Sequence, residues 1–366
     1  MMRCVRLLVP DMPSADELLP RLQEIDRAGW YTNFGPLVRR LESQLAAATG
    51  ADADSVTTVA NCTLGLELAL SALGLPRGAS ILIPALTFVA TATAVTRAGY
   101  RPVVSDVDPQ SWLLTPALAR EALRSMPLGA VMPVTTFGCA QDLAQWAAFR
   151  RETGVPVVVD AAGGFGNQRH EPEVVAVYSL HATKSLGAGE GGFVLANRAT
   201  AERVRKLSNF GIDLQHGWVD EPGTNAKLSE YHAAVALAAL QRWERARSAR
   251  QRLACEYAGL IAQRCAGLAQ QQRTAEGVYT ILAVLLPAGS DVARVRQNLQ
   301  ARGVETRRWY HPLVHLHPGL ADCGLAGDLS VATTLSGRIL GLPFHLALDG
   351  SDPEYVVDAL AYALRA

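Results

Sequence analysis

The chain has no surplus of either charge, few aromatics and few cysteines, and each shortage removes a class of function. Lysine plus arginine and aspartate plus glutamate both number 34 in 366 residues. Aromatics make up 6% of the chain, and no basic cluster is interleaved with them. The electrostatic footprint of a nucleic-acid or membrane-surface protein is therefore missing. Six cysteines (Cys4, Cys62, Cys139, Cys255, Cys265 and Cys323) are scattered without C-x-x-C spacing. Neither a zinc site nor a disulfide framework is expected, no metal is expected, and a reduced, cytoplasmic setting fits. No apolar run reaches membrane-spanning length, and the stretch MMRCVRLLVPDMP holds too short an apolar segment for a signal peptide. Internal repeats and low-complexity linkers are absent as well.

What is there is a large apolar fraction, 49%, enough for one large and one smaller domain, 1–245 and 246–366. Short β-branched runs alternate with helical spacing. The strands read as SVTTVA, ILIP, RPVVSDVD, AVMPV, PVVVD, VVAVYSL and GFVLAN. Helices are expected over Ala15–Ala28, Leu37–Thr49, Leu64–Leu73, the segment after ILIPALT, Asp142–Thr153 and Ala199–Asn209, with long helical periodicity from Leu228 to Ile261. This pattern predicts an α/β domain with a largely parallel sheet covered on both faces, and functional groups at the carboxyl ends of its strands.

Four features on that frame carry chemistry. VVAVYSL delivers Lys184 into a turn that Gly187, Gly189, Gly191 and Gly192 leave nearly bare; desolvated there, a neutral amine can attack a carbonyl, as Schiff-base lysines do. Asp160 ends the run Val157-Val158-Val159, so a buried strand places its carboxylate where it needs a partner: a metal, a backbone donor or a protonated cofactor ring nitrogen. Asn61-Cys62-Thr63 opens a helix whose unpaired N–H groups suit a phosphate, although Asn61 or Thr63 serving as an ordinary cap explains the same residues. Phe88, early in the helix after ILIPALT, can stack on an aromatic ring. Pyridoxal 5'-phosphate (PLP) would use all four, with Asp160 keeping the ring nitrogen protonated and Lys184 carrying the aldehyde and moving the proton.

The segments NCTLGLELAL, IPALTFVATATAV, VVVDAAGGFG, SLHATKSLGAGEGG and GTNAKLSEYHAA resemble the DegT/DnrJ/EryC1/StrS family of sugar aminotransferases, and the likeness runs from WYTNFGP to YHPLVHLHP. The resemblance implies a fold-type I PLP-dependent transferase: an α/β large domain with a mostly parallel central sheet, and a smaller C-terminal α+β domain. It implies that Lys184 is the Schiff-base lysine, that Asp160 pairs with the pyridine nitrogen, and that Phe88 stacks on the ring. Backbone at Cys62 and Thr63 and the Ser179 hydroxyl would hold the phosphate. Asn225 would reach the phosphate bound to the other subunit, so the smallest active unit would be a homodimer. The implied chemistry moves an amino group from L-glutamate to a keto sugar linked to a nucleotide; sugar dehydration, cyclitol transamination and a non-catalytic PLP-binding dimer are the alternatives.

The chain departs from the family at Gly163 and Gly164, where Gln or His commonly follows Asp-Ala-Ala, so a water, a bulkier substrate or a shifted side chain must fill that space. Thr32, Asn33, His181, Glu190, Tyr310 and His311 are candidate substrate contacts. His315 is weighed with His181, and for both a plain hydrogen-bonded histidine is the simpler expectation. Arg203 and Arg205 are expected to be solvated surface.

Overall fold

The computed structural model describes residues 3–213 and 215–366. Met1 and Met2, which head the stretch read for a leader, and Leu214, in the turn-rich segment after Gly211, lie outside the described residues.

Strands β1 (Val56–Val59), β2 (Ser80–Pro84), β3 (Arg101–Ser105), β4 (Ala130–Val131), β5 (Val158–Asp160), β6 (Val175–Ser179) and β7 (Gly192–Leu195) alternate with helices. The helices are α1 (Ala15–Ala28), α2 (Pro36–Thr49), α3 (Cys62–Ser71), α4 (Val89–Arg97), α5 (Pro116–Ser125), α6 (Leu143–Thr153) and α7 (Arg198–Ser208). There follow α8 (Glu230–Gln241), α9 (Trp243–Arg264), β8 (Ala269–Gln270), β9 (Leu282–Leu285), α10 (Val292–Ala301), β10 (Gly324–Ala326), α11 (Ser330–Arg338), β11 (Ile339–Leu342) and α12 (Asp352–Arg365).

Two four-stranded ladders, β1-β7-β6-β5 and β10-β3-β2-β4, meet through the parallel bridges Val131–Val157 and Val134–Asp160. The joined sheet is parallel except for β7, which runs antiparallel to both β1 and β6. β1 and β6 therefore point the same way, and the carboxyl ends of β1, β2, β5 and β6 share one edge with the start of β7. A second, antiparallel sheet, β11-β9-β8, packs with α9, α10 and α12 around a separate cluster that includes Tyr257, Val284, Leu299, Phe344 and Leu360. Val5, bridged to Val304, joins that cluster, while Trp309, Leu313, Ala332 and Leu335 pack back among β2, β3 and α4.

Local chemistry explains most boundaries. Ser14 and Glu17 form a reciprocal capping box at the head of α1, and Gly29, with φ of 59°, ends it; the observed span is the expected one. The expected five-residue strand AVMPV shrinks to Ala130–Val131 with a single further bridge at Val134, because Pro133 has no N–H for the ladder. Helical periodicity expected to be continuous from Leu228 to Ile261 breaks at Arg242 between α8 and α9. β10, α11 and β11 were not anticipated.

Arg203 and Arg205 of α7 are not plain solvated surface. Arg203 pairs with Glu221 (2.8 Å) and donates to the Ala72 carbonyl (3.0 Å). Arg205 pairs with the buried Glu42 (2.8 Å) and lies over the Phe34 ring, 4.8 Å from its centroid. Glu42 in turn accepts from the Thr58 amide and hydroxyl. A buried carboxylate selects the guanidinium within reach, which no helical-wheel argument on α7 alone reveals.

Candidate active site

The carboxyl edge of the sheet collects the residues singled out for chemistry. Asp160 closes β5, is only 4% exposed, and has no salt-bridge partner among the described residues. Its Oδ2 accepts from the Thr91 hydroxyl (2.7 Å) and its Oδ1 from the Ala162 amide (3.1 Å). Thr91 spends its one proton on Asp160, so the 2.7 Å contact between Thr87 and Thr91 has Thr87 donating. Burial pushes the Asp160 carboxyl up; the Thr91 hydroxyl, the Ala162 amide and the Lys184 charge pull it partly back. Thr87 and Thr91 are the residues that sequence reasoning missed; Thr87 stands just ahead of the Phe88 cap and Thr91 in the first turn of α4.

Lys184 sits in the turn that follows β6. That turn, bare of side chains, is a hydrogen-bonded hairpin end: Leu180 donates to Gly191 O, Ala182 to Gly189 O and Ala188 to Leu180 O, all within 2.9 Å. Gly192 is required by close approach, since a Cβ there would lie 2.8 Å from the Cys62 amide nitrogen. This contact seats the lysine turn against the head of α3. The Lys184 ammonium acts on both Asp160 and the buried Cys62 thiol, although burial dominates and pushes that thiol well up.

At the head of α3 the ordinary cap and a vacant pair of donors coexist. Asn61 Oδ1 accepts from the Leu64 amide (2.9 Å), so the cap is Asn61, and the helix begins at Cys62, two residues earlier than expected. The amides of Cys62 and Thr63 find no acceptor among the described residues, which leaves them and the helix dipole for an anion. Ser179, buried at the end of β6, accepts from the His181 amide (3.2 Å) and keeps its own proton to donate.

Phe88 is not inside α4 but in its N-cap position, with 52% of its surface exposed. Its ring lies 6.1 Å from that of Tyr310, which stacks at 5.4 Å on Phe137. Tyr310 is close enough to Asp160 for that carboxylate to add to the rise that burial causes in its hydroxyl. The space left by Gly163 and Gly164 is taken up by the turn Thr135–Gly138: a Cβ on Gly163 would stand 3.3 Å from the Gly138 nitrogen, and one on Gly164 would stand 3.2 Å from Thr135 Cγ2. The missing side chains thus let a backbone turn approach and set the Phe137 ring against Tyr310.

The remaining candidates are spread out. His181 shares its Nδ1 with the Thr183 hydroxyl (3.0 Å) and faces the exposed Glu190 across 3.8 Å. His311 bonds the Ser336 hydroxyl at the surface (3.1 Å), and burial pulls both it and His315 below the ordinary imidazole value. Thr32 and Asn33 lie exposed ahead of α2 and make no hydrogen bond to Asp160, Lys184 or Ser179. Asn225 is exposed and bridged to Asn209 at the foot of α7.

A buried strand-end aspartate, a turn-borne lysine beside it and a vacant helix head are the features expected above, and the profile of the DegT/DnrJ/EryC1/StrS aminotransferase family matches residues 14–361. The chain belongs to that family. It is an aminotransferase, with the α/β fold of the fold-type I PLP-dependent transferases. It is 31% identical over 373 residues to protein Rv3402c of Mycobacterium tuberculosis, covering 97% of this chain and 89% of that one. It is 30% identical over 352 residues to the UDP-2-acetamido-2-deoxy-3-oxo-D-glucuronate aminotransferase of Pseudomonas aeruginosa, covering 94% and 95%. The crystal structure of DesI in the presence of its TDP-sugar product superposes with a TM-score of 0.89 at 29% identity, over 100% of this chain and 94% of that chain.

Proposed function

We propose that this aminotransferase uses PLP to move an amino group from L-glutamate to a keto sugar linked to a nucleotide. The observation that carries the cofactor is the Asp160 carboxylate: buried, held by one hydroxyl and one amide, and without a cation hydrogen-bonded to it. A protonated ring nitrogen supplies the positive hydrogen-bond donor that this environment lacks. The amides of Cys62 and Thr63 and the unspent proton of Ser179 would take a phosphate, and the exposed Phe88 ring would stack on the cofactor. When bound, PLP supplies an electron sink that makes the hydrogen on a substrate amine carbon acidic.

This chain's residues do the rest. Asp160 would keep the ring nitrogen protonated; Thr91, pinned by Thr87, and the Ala162 amide fix the carboxylate. Lys184 Nζ holds the cofactor between turnovers and then moves a proton to and from the reacting carbon. Tyr310, stacked on Phe137 and next to the Phe88 ring, would flank the cofactor ring. The keto-sugar and nucleotide assignment rests on the relatives that act on UDP- and TDP-sugars, with His181, Glu190, Tyr310 and His311 nearest the lysine turn or its aromatic wall.

The working unit in this reading is a homodimer. Trp30, Tyr31, Phe210, Trp218 and Tyr231 expose 45–72% of their surface in the single chain, the mark of an association face. Asn225, on the same exposed segment as Phe210 and Trp218, would complete the phosphate site of the other subunit.

The test is spectroscopic and chemical. Protein reconstituted with PLP should gain an absorption band above 400 nm that borohydride abolishes, with peptide mass analysis locating the cofactor on Lys184. Supplying L-glutamate and a nucleotide-linked keto sugar should yield 2-oxoglutarate in step with the amino sugar. A colourless protein that PLP cannot convert overturns the cofactor; donor consumption without any sugar acceptor among UDP-, dTDP- and GDP-linked ketoses overturns the substrate class.

A further inference from the structure

Besides its aldehyde, PLP meets a protein through a ring nitrogen, a phosphate and a phenolic oxygen. The reading above gives partners to the first two. The oxygen, carried two ring atoms from the nitrogen, has none. Gly163 and Gly164, where the family commonly has Gln or His, offer it no side chain. The side-chain donors on and beside the turn that fills their space are already spent on main-chain carbonyls. Thr135 donates to Asp160 O (3.4 Å) and Thr136 to Leu86 O (3.5 Å). Gln141 donates to Val134 O (2.8 Å), and Asn167 to the carbonyls of Gly138 and Val278 (2.7 Å each).

Tyr310 differs from these. Its hydroxyl forms no hydrogen bond among the described residues, yet it is not sealed among packed atoms. The rest of the residue is held firmly: its carbonyl accepts from the Ser336 hydroxyl (2.7 Å), and its ring stacks on Phe137 at 5.4 Å with 21° between the planes. Phe137 supports it from a left-handed backbone, with φ of 57°. A bulky residue keeps that conformation only where its surroundings impose it. Here the Asp160 strand end does so, for the Thr135 amide donates to Asp160 O (2.9 Å) and Gly138 rests on Gly163. The stack is thus mounted on the residue that would hold the ring nitrogen. Burial first, and then the Asp160 charge, push the Tyr310 hydroxyl up, so it stays protonated and able to donate.

We infer that the Tyr310 hydroxyl is the hydrogen-bond donor to the phenolic oxygen of PLP, replacing a side chain at position 163, and that Phe137 positions it. The inference rests on the PLP reading and adds a cofactor contact to it. In the loaded protein that oxygen shares a proton with the nitrogen joining the cofactor to Lys184. A donor on the oxygen takes up part of its negative charge and weakens this sharing, so the nitrogen releases its proton at lower pH.

The pH midpoint of the visible absorption band of the loaded protein tests this. Tyr310→Phe keeps the ring and loses only the hydroxyl; its midpoint should rise by about one pH unit, and its Kd for PLP, measured by equilibrium dialysis, about tenfold. Phe137→Leu leaves the hydroxyl without its platform and should move the midpoint the same way by a smaller amount. Comparison of PLP with its 3-deoxy analogue separates the bond from packing. Losing the oxygen should cost the unaltered protein about tenfold in affinity and Tyr310→Phe less than about twofold, because both changes delete one bond. If Tyr310→Phe does not fold, a crystal structure of the loaded, unaltered protein decides, through a Tyr310 Oη within about 3.2 Å of the phenolic oxygen. An unmoved or lowered midpoint in Tyr310→Phe, an equal loss with the analogue in both proteins, or a longer separation overturns the assignment, and an unmoved midpoint in Phe137→Leu overturns the role of Phe137. An unaltered protein that gains no visible band with PLP overturns the cofactor reading itself, and this inference with it.

Discussion

At the scale of single residues, the site turns on how one buried carboxylate is kept ionised. Desolvation raises the Asp160 carboxyl, while Thr91 and the Ala162 amide lower it. Removing the hydroxyl in Thr91→Val should therefore push it higher still, so that the acid limb of a kcat/KM profile moves to higher pH. Only the neighbouring hydroxyl is lost, so the plateau above that limb should fall no more than about tenfold, in keeping with one charge-assisted hydrogen bond. Asp160→Asn removes the charge itself and should cost about a hundredfold or more in kcat at every pH. A flat, wild-type profile for Thr91→Val would show that the hydroxyl only packs. That Asp160 ends a buried strand and Lys184 lies in the turn after one was legible from local propensity alone. Thr91 was not, because its role depends on α4 being laid across the end of β5, and no local pattern encodes that crossing.

At the scale of elements, buried acids act as caps and struts. Glu230, 1% exposed, accepts from the amides of Leu37 (2.8 Å) and Val38 (2.9 Å), so the head of α8 satisfies the first turn of α2, whose Gly35 cap offers no side chain. A carboxylate at a helix N-terminus also meets the favourable end of the dipole. Glu230→Ala should lower unfolding free energy by about 2 kcal/mol in urea titration, whereas Asn61→Ala, which loses one cap bond on α3, should cost about 1 kcal/mol. Helix spans such as Ala15–Ala28 were readable because the capping box and the terminal glycine are local. The strand at Ala130 was overestimated because Pro133 breaks the ladder, and β10 was missed because three residues become a strand only when the edge of β3 is there to pair with them.

At the scale of the whole molecule, pH acts through histidines whose surroundings favour the neutral form. His170, His311, His315 and His345 are all pulled below their ordinary value, with burial the leading cause. The unfolded chain then binds more protons than the folded one below about pH 6.5, so stability is present above that value and is lost as pH falls through the depressed values. Asp160, raised by burial, works in the opposite sense as one group against four. The urea midpoint should therefore drop between pH 7 and pH 5.5. Sedimentation should give twice the chain mass, and Trp218→Asp should reduce it to that of one chain; an unchanged mass for the variant would place the interface elsewhere. The sequence by itself determined the alternation of strands and helices, the lysine in its glycine-rich turn and the aspartate at a strand end, because these follow from local propensity and period. Only the tertiary structure decided which hydroxyl braces Asp160, which acids claim Arg203 and Arg205, and what occupies the room beside Gly163. Each of these depends on distances between segments far apart in the chain, which are set by how the layers pack.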